Sequence, residues 1–187
     1  MNFYISDLHF GHKNALSFDD RPFTTIEEHD NLIIKNWNEV VNIDDDVYIL
    51  GDISWYNVTK TIEIIKTLNG HKHLIIGNHD DKFLKNKDFR DCFVEICNYK
   101  EIRFDEEHGV VLCHYPIPCF NNHYYGWYHL YGHVHTGWEY NIMKHVKLEM
   151  SQLYDKPCNM FNVGCMVSYM HYTPQPLNHI ANSFEEG

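Results

Sequence analysis

Short apolar runs that stop abruptly at an acidic or imidazole side chain constrain this chain more than any other feature. Phe3-Tyr4-Ile5 gives way to Ser6-Asp7, Val47-Tyr48-Ile49-Leu50 to Gly51-Asp52, and Leu74-Ile75-Ile76 to Gly77-Asn78. Runs this short and this apolar read as strands buried on both faces. Helical patterns lie between them. Thr25 and Glu28 have capping-box spacing, and apolar residues follow at 26, 33, 37, 40 and 41. Asn57 is a second cap, with Val58, Ile62, Ile65 and Leu68 on one face and Asn69-Gly70 as the stop. Strand, helix, strand, helix, strand predicts right-handed βαβ crossovers and a parallel sheet.

The second half reads differently. Strand-like runs near 93–104, 110–113, 127–131, 145–149 and 158–163 come with turns and little helix between them. They predict antiparallel strands that extend the first sheet. A terminal helix is expected at about 176–184, after Pro174 and Pro176. At 187 residues the chain suits a single domain, 1–187. It has no internal repeat, linker or low-complexity tract. No apolar run approaches the roughly 20 residues that span a bilayer. The start, Met-Asn-Phe-Tyr-Ile-Ser-Asp, lacks the basic flank and apolar core of a secretory leader. A soluble, cytoplasmic protein with no membrane partner is expected.

Charge narrows the partners. A formal charge of −11 argues against extended nucleic-acid binding, which calls for the opposite sign. A single phosphate held at a local positive site remains compatible with it. Six cysteines occur without a Cys-x-x-Cys pair and are expected mostly as buried free thiols. Histidine is unusual: there are 15, as many as Lys and Arg together. Imidazole is the commonest metal ligand, so the placement of these rings is the decisive question.

In open α/β sheets, ligands bind beyond the carboxyl ends of the strands. Here those ends carry Asp7-Leu8-His9, Gly51-Asp52, Gly77-Asn78-His79-Asp80, Cys113-His114 and Gly132-His133-Val134-His135. Taken singly, each is ordinary turn chemistry. Gly-His-x-His says more, because alternate residues of an extended segment point the same way. The blocks Asp7-x-His9-x-Gly11, Gly51-Asp52, Gly77-Asn78-His79-Asp80, His114 and Gly132-His133-x-His135, in this order, resemble the calcineurin-like metallophosphoesterase superfamily. The stretch Ser6 to Asn14, followed by Arg21-Pro22-Phe23 and later by Asn162-Val163-Gly164, looks like a small single-domain bacterial and phage branch of it.

That resemblance implies an α/β fold, a four-layer α/β/β/α sandwich, with two divalent ions at one edge. It implies Asp7, His9 and His135 around one ion, Asn78, His114 and His133 around the other, and Asp52 bridging both. Nitrogen and oxygen donors suit manganese first, with iron, zinc or nickel as alternatives. The ions outweigh the two carboxylates, so an acidic protein can own one electropositive pocket. Such a pair, about 3.5–4 Å apart, clamps a phosphoryl group and lowers the pKa of a shared water. The implied reaction is in-line attack by a bridging hydroxide on a phosphate ester, a phosphodiester ahead of a phosphomonoester. His79 would serve as general acid toward the leaving oxygen, with Asp80 a candidate to orient it. A small phosphate ester or nucleotide is the expected substrate.

Asn78 is expected to touch substrate as well as metal, and His12 and Arg21 are lesser candidates for substrate contact. His12 can equally support the metal block, and Arg21 can equally pair with Asp19 or Asp20. The other histidines carry no ligand pattern. The aromatic stretch Phe120 to Trp138 reads first as packing and second as a stacking surface, and Trp55 and Tyr56 as pocket flanks. Exposed aromatics would also allow a homodimer. Two other functions compete. A non-catalytic scaffold on the same fold should have lost His79 or metal ligands, and both are present. A metal buffer should carry histidine tracts, whereas these ligands fall singly at strand ends.

Overall fold

The protein is described by a computed structural model over residues 1–183. β1 (Asn2–Ile5), β2 (Asp46–Ile49), β3 (His71–Ile75) and β4 (Glu95–Cys97) are parallel neighbours. The short β9 (Gln175–Pro176) closes the far edge antiparallel to β1. The order is β4-β3-β2-β1-β9. α1 (Lys13–Phe18) and α2 (Ile26–Val40) join β1 to β2, and α3 (Val58–Thr67) joins β2 to β3. α4 (Asp81–Leu84) and α5 (Lys87–Arg90) lead into β4. Both expected caps form. The Thr25 hydroxyl accepts from Glu28 N at 3.2 Å while Glu28 reaches back to Thr25 N, and Asn57 accepts from Lys60 N at 2.9 Å. On α2, Ile26, Ile33 and Trp37 turn inward, whereas Val40, expected on the buried stripe, is exposed.

The second half departs from expectation. It builds its own sheet, in the order β5-β6-β7-β8, from β5 (Tyr99–Arg103), β6 (Gly109–Cys113), β7 (Tyr128–Tyr131) and β8 (Met160–Asn162). Only β5 and β6 are antiparallel; β6-β7 and β7-β8 are parallel. The parallel β7-β8 pair needs a crossover, which α6 (Trp138–Tyr154) provides. The expected strand at 145–149 therefore lies inside a helix. No residue of α6 is buried, so it carries no wide apolar stripe to disclose a helical period. α7 spans Leu177–Asn182, and position 184 of the expected terminal helix lies outside the described residues.

β6 alternates between two apolar clusters. Val110 and Leu112 join the main core, which also contains Phe3, Tyr4, Ile5, Val47, Ile49, Leu74 and Ile75. Val111 faces the smaller cluster of Phe120, Trp127, Tyr131, Val134, Cys158 and Met160, against which Met143 and Met150 of α6 pack. Most of the aromatic stretch is thus packing, though Tyr124, Tyr125 and Trp138 are exposed. All six cysteines are free thiols: Cys113, Cys158 and Cys165 are buried, Cys92 and Cys97 half-buried, Cys119 exposed. Among the described residues no helix is long and apolar enough to cross a membrane.

The two sheets meet just past their strand ends. Ser6 N donates to Val163 O at 2.8 Å and Cys165 N to Ser6 O at 2.9 Å. Register then aligns the carboxyl ends. Ile5 pairs with Ile49 and Ile49 with Leu74, so the chain leaves β1, β2 and β3 at one level. Leu112 pairs with Leu130 and Leu130 with Phe161, which does the same in the other sheet.

Candidate metal centre

Those exits gather Asp7, His9, Asp52 and His135. One ligand atom from each lies within 4.8 Å of all the others. His9 Nε2 stands 3.7 Å from Asp52 Oδ2 and 4.0 Å from Asp7 Oδ1, and His135 Nε2 is 3.9 Å from Asp7 Oδ1. These gaps exceed a hydrogen bond. They match two donors on one ion, which stand at most about 4.2 Å apart when each bond is about 2.1 Å. Beside this group, Asn78 Oδ1 lies 3.0 Å from both His114 Nε2 and His133 Nδ1. Asp52 stands between the two groups: Oδ2 faces His9, and Oδ1 is 3.7 Å from His114 Nε2.

The ring nitrogens are poised for ligation. His114 Nδ1 donates to Leu50 O at 2.6 Å, and His135 Nδ1 to Asp19 Oδ2 at 2.8 Å. Each bond leaves an Nε2 lone pair turned inward. His9 Nδ1 lies 3.0 Å from His12 Nδ1, while His9 Nε2 is buried with no hydrogen-bond partner. A buried polar atom without a partner is costly unless something occupies the space before it. Two buried carboxylates and neutral imidazoles fit a divalent ion. Burial, together with the charges of Arg21, His135, His12 and His79, holds the His9 ring well below the usual imidazole pKa. Burial chiefly, with His114 adding, lowers His133 as well. Burial acts the same way on His135, but the bond to Asp19 and the charges of Asp7 and Asp19 outweigh it and raise that ring. Asp52 is raised, foremost by burial and also by Asp7.

Backbone strain marks the same residues. Asp7 (φ 54°), His9 (φ 49°), Asp52 (φ 57°), His133 (φ 70°) and His135 (φ 50°) all adopt the left-handed conformation. For a residue other than glycine this costs on the order of 1–3 kcal/mol and persists where the surroundings enforce it, commonly at functional sites. Gly132 explains one close approach. A Cβ there would overlap Ser6 Oγ and stand 2.6 Å from Asp7 Oδ2.

His79 sits at the open side. Its side chain is 44% exposed, with Nε2 3.9 Å from Asp52 Oδ2, and the backbone N–H of His79 donates to Asp52 Oδ1. Asp80 does not orient that ring. Its buried carboxylate accepts from Asp52 N and Ile53 N, each at 3.0 Å, and from Gly77 N at 2.9 Å, which ties two strand exits together. His12 stacks on Trp55 with ring centroids 3.8 Å apart, and Trp55 also contacts His79. Tyr56 instead donates to Asp30. Phe18 and Tyr115, both exposed, stand edge-on to His9 and His135 and to His114 and His133 respectively.

Arg21 does not reach the open side. Its side chain is fully buried, and its guanidinium is bound to Asp19, Asp7 O, Leu8 O, His29 and Cys165. Of the two roles expected for it, the ion pair with Asp19 is the one observed. Sequence reasoning gave Asp19 no part beside His135. It also overlooked the Asn162 side chain, which donates to His135 O at 2.7 Å and accepts from Gly164 N. The adjacent Asp19-Asp20-Arg21 was the available signal, but which carboxylate turns inward depends on tertiary contacts.

Fold and site together define an α/β protein of two mixed sheets whose joined edges carry a His/Asp group able to hold a metal ion. No family model matches the chain. It is 32% identical over 187 residues to the uncharacterized protein MJ1445 of Methanocaldococcus jannaschii, covering 99% of this chain and 92% of that one, and it belongs to the same family. It is also similar to the gene 66 protein of Mycobacterium phage L5, at 40% identity over 88 residues, 46% of this chain and 42% of the phage protein. Among solved structures, a protein of unknown function from Aquifex aeolicus, AQ665, matches with a TM-score of 0.67 and 27% identity over 93% of this chain and 94% of that one.

Proposed function

We propose that this protein is a dinuclear metal-dependent phosphoesterase of the calcineurin-like kind, with the two sheets and their helices forming a four-layer α/β/β/α sandwich. The observation that carries the reading is the group of buried Asp7, His9 and Asp52 with half-buried His135, in which His9 Nε2 has no hydrogen-bond partner. Asp7, His9 and His135 would hold one ion, Asn78, His114 and His133 the other, and Asp52 both. When bound, the two ions would polarise the phosphoryl oxygens and make hydroxide available near neutral pH. The nitrogen and oxygen donors favour manganese, with iron, zinc or nickel as alternatives.

The chain's own residues do the rest. His79, half exposed at the mouth, can deliver a proton to the leaving oxygen of the ester. Trp55, Phe18 and Tyr115 around the opening favour a substrate with a planar group, such as a nucleotide phosphodiester. The alternative, a non-catalytic binding module, gains nothing from an exposed imidazole beside the bridging carboxylate.

The test is hydrolysis of an aryl phosphodiester and a monoester with manganese(II). Wild type should turn over, the diester faster. His79→Ala should keep its manganese and lose about 10²–10⁴-fold in rate, the usual share of a general acid. Asp52→Asn should lose manganese and rate together. A wild-type protein that hydrolyses neither ester with any of the four metals overturns the proposal.

A further inference from the structure

Arg21 is the most committed cation in the molecule that the proposed chemistry does not use. It follows α1 and lies wholly inside the protein. Its Nε and Nη2 bond Asp19 Oδ2 at 2.9 and 2.8 Å, and Nη2 also donates to Asp7 O at 3.1 Å. Nη1 reaches Leu8 O at 3.4 Å, Cys165 Sγ at 3.4 Å and His29 Nε2 at 2.8 Å. His29 must accept there, so its Nδ1–H donates to Asp30 Oδ1 at 2.8 Å. Asp30 in turn accepts from Gly11 N at 3.1 Å and from Tyr56 Oη at 2.9 Å.

Two of these contacts converge on one end of the candidate centre. The Asp7 carbonyl belongs to a residue held at φ 54°, and it accepts from both Arg21 and the Cys165 thiol, each at 3.1 Å. The Asp19 oxygen gripped by Arg21 is the one that accepts from His135 Nδ1 at 2.8 Å. Asp7 follows β1 and His135 follows β7, so a single guanidinium fixes ligands supplied by both sheets. Its polar contacts among the described residues include none of Asn78, His114 and His133.

We propose that Arg21 is a positioning residue for one ion position only. It acts on Asp7 through the backbone carbonyl and on His135 through Asp19. The assignment rests on the dinuclear reading above. A carboxylate on the far nitrogen of a ligating imidazole fixes its tautomer and orientation, and loss of such a partner typically costs about 10–100-fold in metal affinity. Arginine is required because only a planar fork can meet a carboxylate, a carbonyl and an imidazole from one buried point.

Manganese(II) binding to the full chain, followed by titration calorimetry and by electron paramagnetic resonance, tests this without any substrate. Wild type should bind two ions and give the spin-coupled signal of a pair. Asp19→Asn, nearly isosteric, should keep one ion at wild-type affinity and bind the other about 10–100-fold more weakly. At concentrations that saturate wild type, the coupled signal should give way to that of a single ion. Arg21→Lys should shift in the same direction, and either folded variant decides the matter. His29→Gln touches the same guanidinium but neither Asp7 nor Asp19, so it should keep both ions even where it lowers the urea midpoint. A folded Asp19→Asn or Arg21→Lys protein with the wild-type isotherm overturns the assignment, and so does one that loses both ions together. Wild type that binds no manganese overturns the metal reading itself, whereas an altered variant beside a two-ion wild type bears on Arg21 alone.

Discussion

Burial and two hydrogen bonds fix the His129 ring in one neutral tautomer, with Nδ1 donating to Val111 O at 3.1 Å and Nε2 accepting from Ile117 N at 3.0 Å. Burial pushes its pKa down from 6.5 to about 4, against the smaller opposing effect of its backbone bonds. Between those values the unfolded chain binds the proton and the native one does not. Stability must therefore fall as pH drops from about 6.5 to about 4, by on the order of 3 kcal/mol from this group. Urea unfolding at a series of pH values should show that slope, and His129→Gln should make it shallower while leaving the share of the other lowered imidazoles, such as His9 and His133. At this scale the apolar runs pointed to Asp7, Asp52, Asn78 and His114 just past their ends, and the family resemblance supplied the order that joins them to His9, His133 and His135. The roles of Arg21 and Asp80 were not legible. A guanidinium among phosphate-site motifs reads as a substrate fork, and a carboxylate next to His79 reads as its partner. Only the folded backbone reveals that both side chains turn inward to hold main-chain groups.

Helices disclose themselves when their ends and faces differ. Thr25 and Glu28 announced α2 because capping satisfies amide groups that the first turn leaves open. Thr25→Ala should cost about 1 kcal/mol, measured as a lower urea midpoint with an unchanged m-value. α6 had no such signal. It starts at Gly137 without a side-chain cap and buries no residue, so Val146 and Leu148 could be read as alternating strand positions. Length alone favours the helix, since parallel β7 and β8 need a crossover. The run 93–104 was misread in another way. Its halves are β4 and β5, and at Asn98 the chain passes from one sheet to the other. A strand's apolar content carries no label for the sheet it will join.

Across the whole molecule, the proposed ions would join the carboxyl exits of two sheets that share an apolar core but few main-chain bonds, such as those of Ser6 with Val163 and Cys165. A ligand that binds only the native state stabilises it by RT ln(1 + [L]/Kd), about 2.7 kcal/mol at 100 times Kd. Manganese added to chelator-treated protein should therefore raise the melting temperature in a concentration-dependent way. Asp52→Asn, which removes the group facing both halves of the site, should abolish most of that rise. Absence of any metal-dependent shift in wild type would contradict the shared-edge arrangement.

The stitch between Ser6 and Val163 to Cys165 also sets an order of events during synthesis on the ribosome. Arg21 can reach the Asp7 carbonyl soon after both leave the exit tunnel, but the Cys165 thiol that grips the same oxygen is translated 158 residues after Asp7. A nascent segment that holds β1, β2 and β3 can pair them early, yet the edge that carries the candidate site stays open until β8 and Cys165 have emerged.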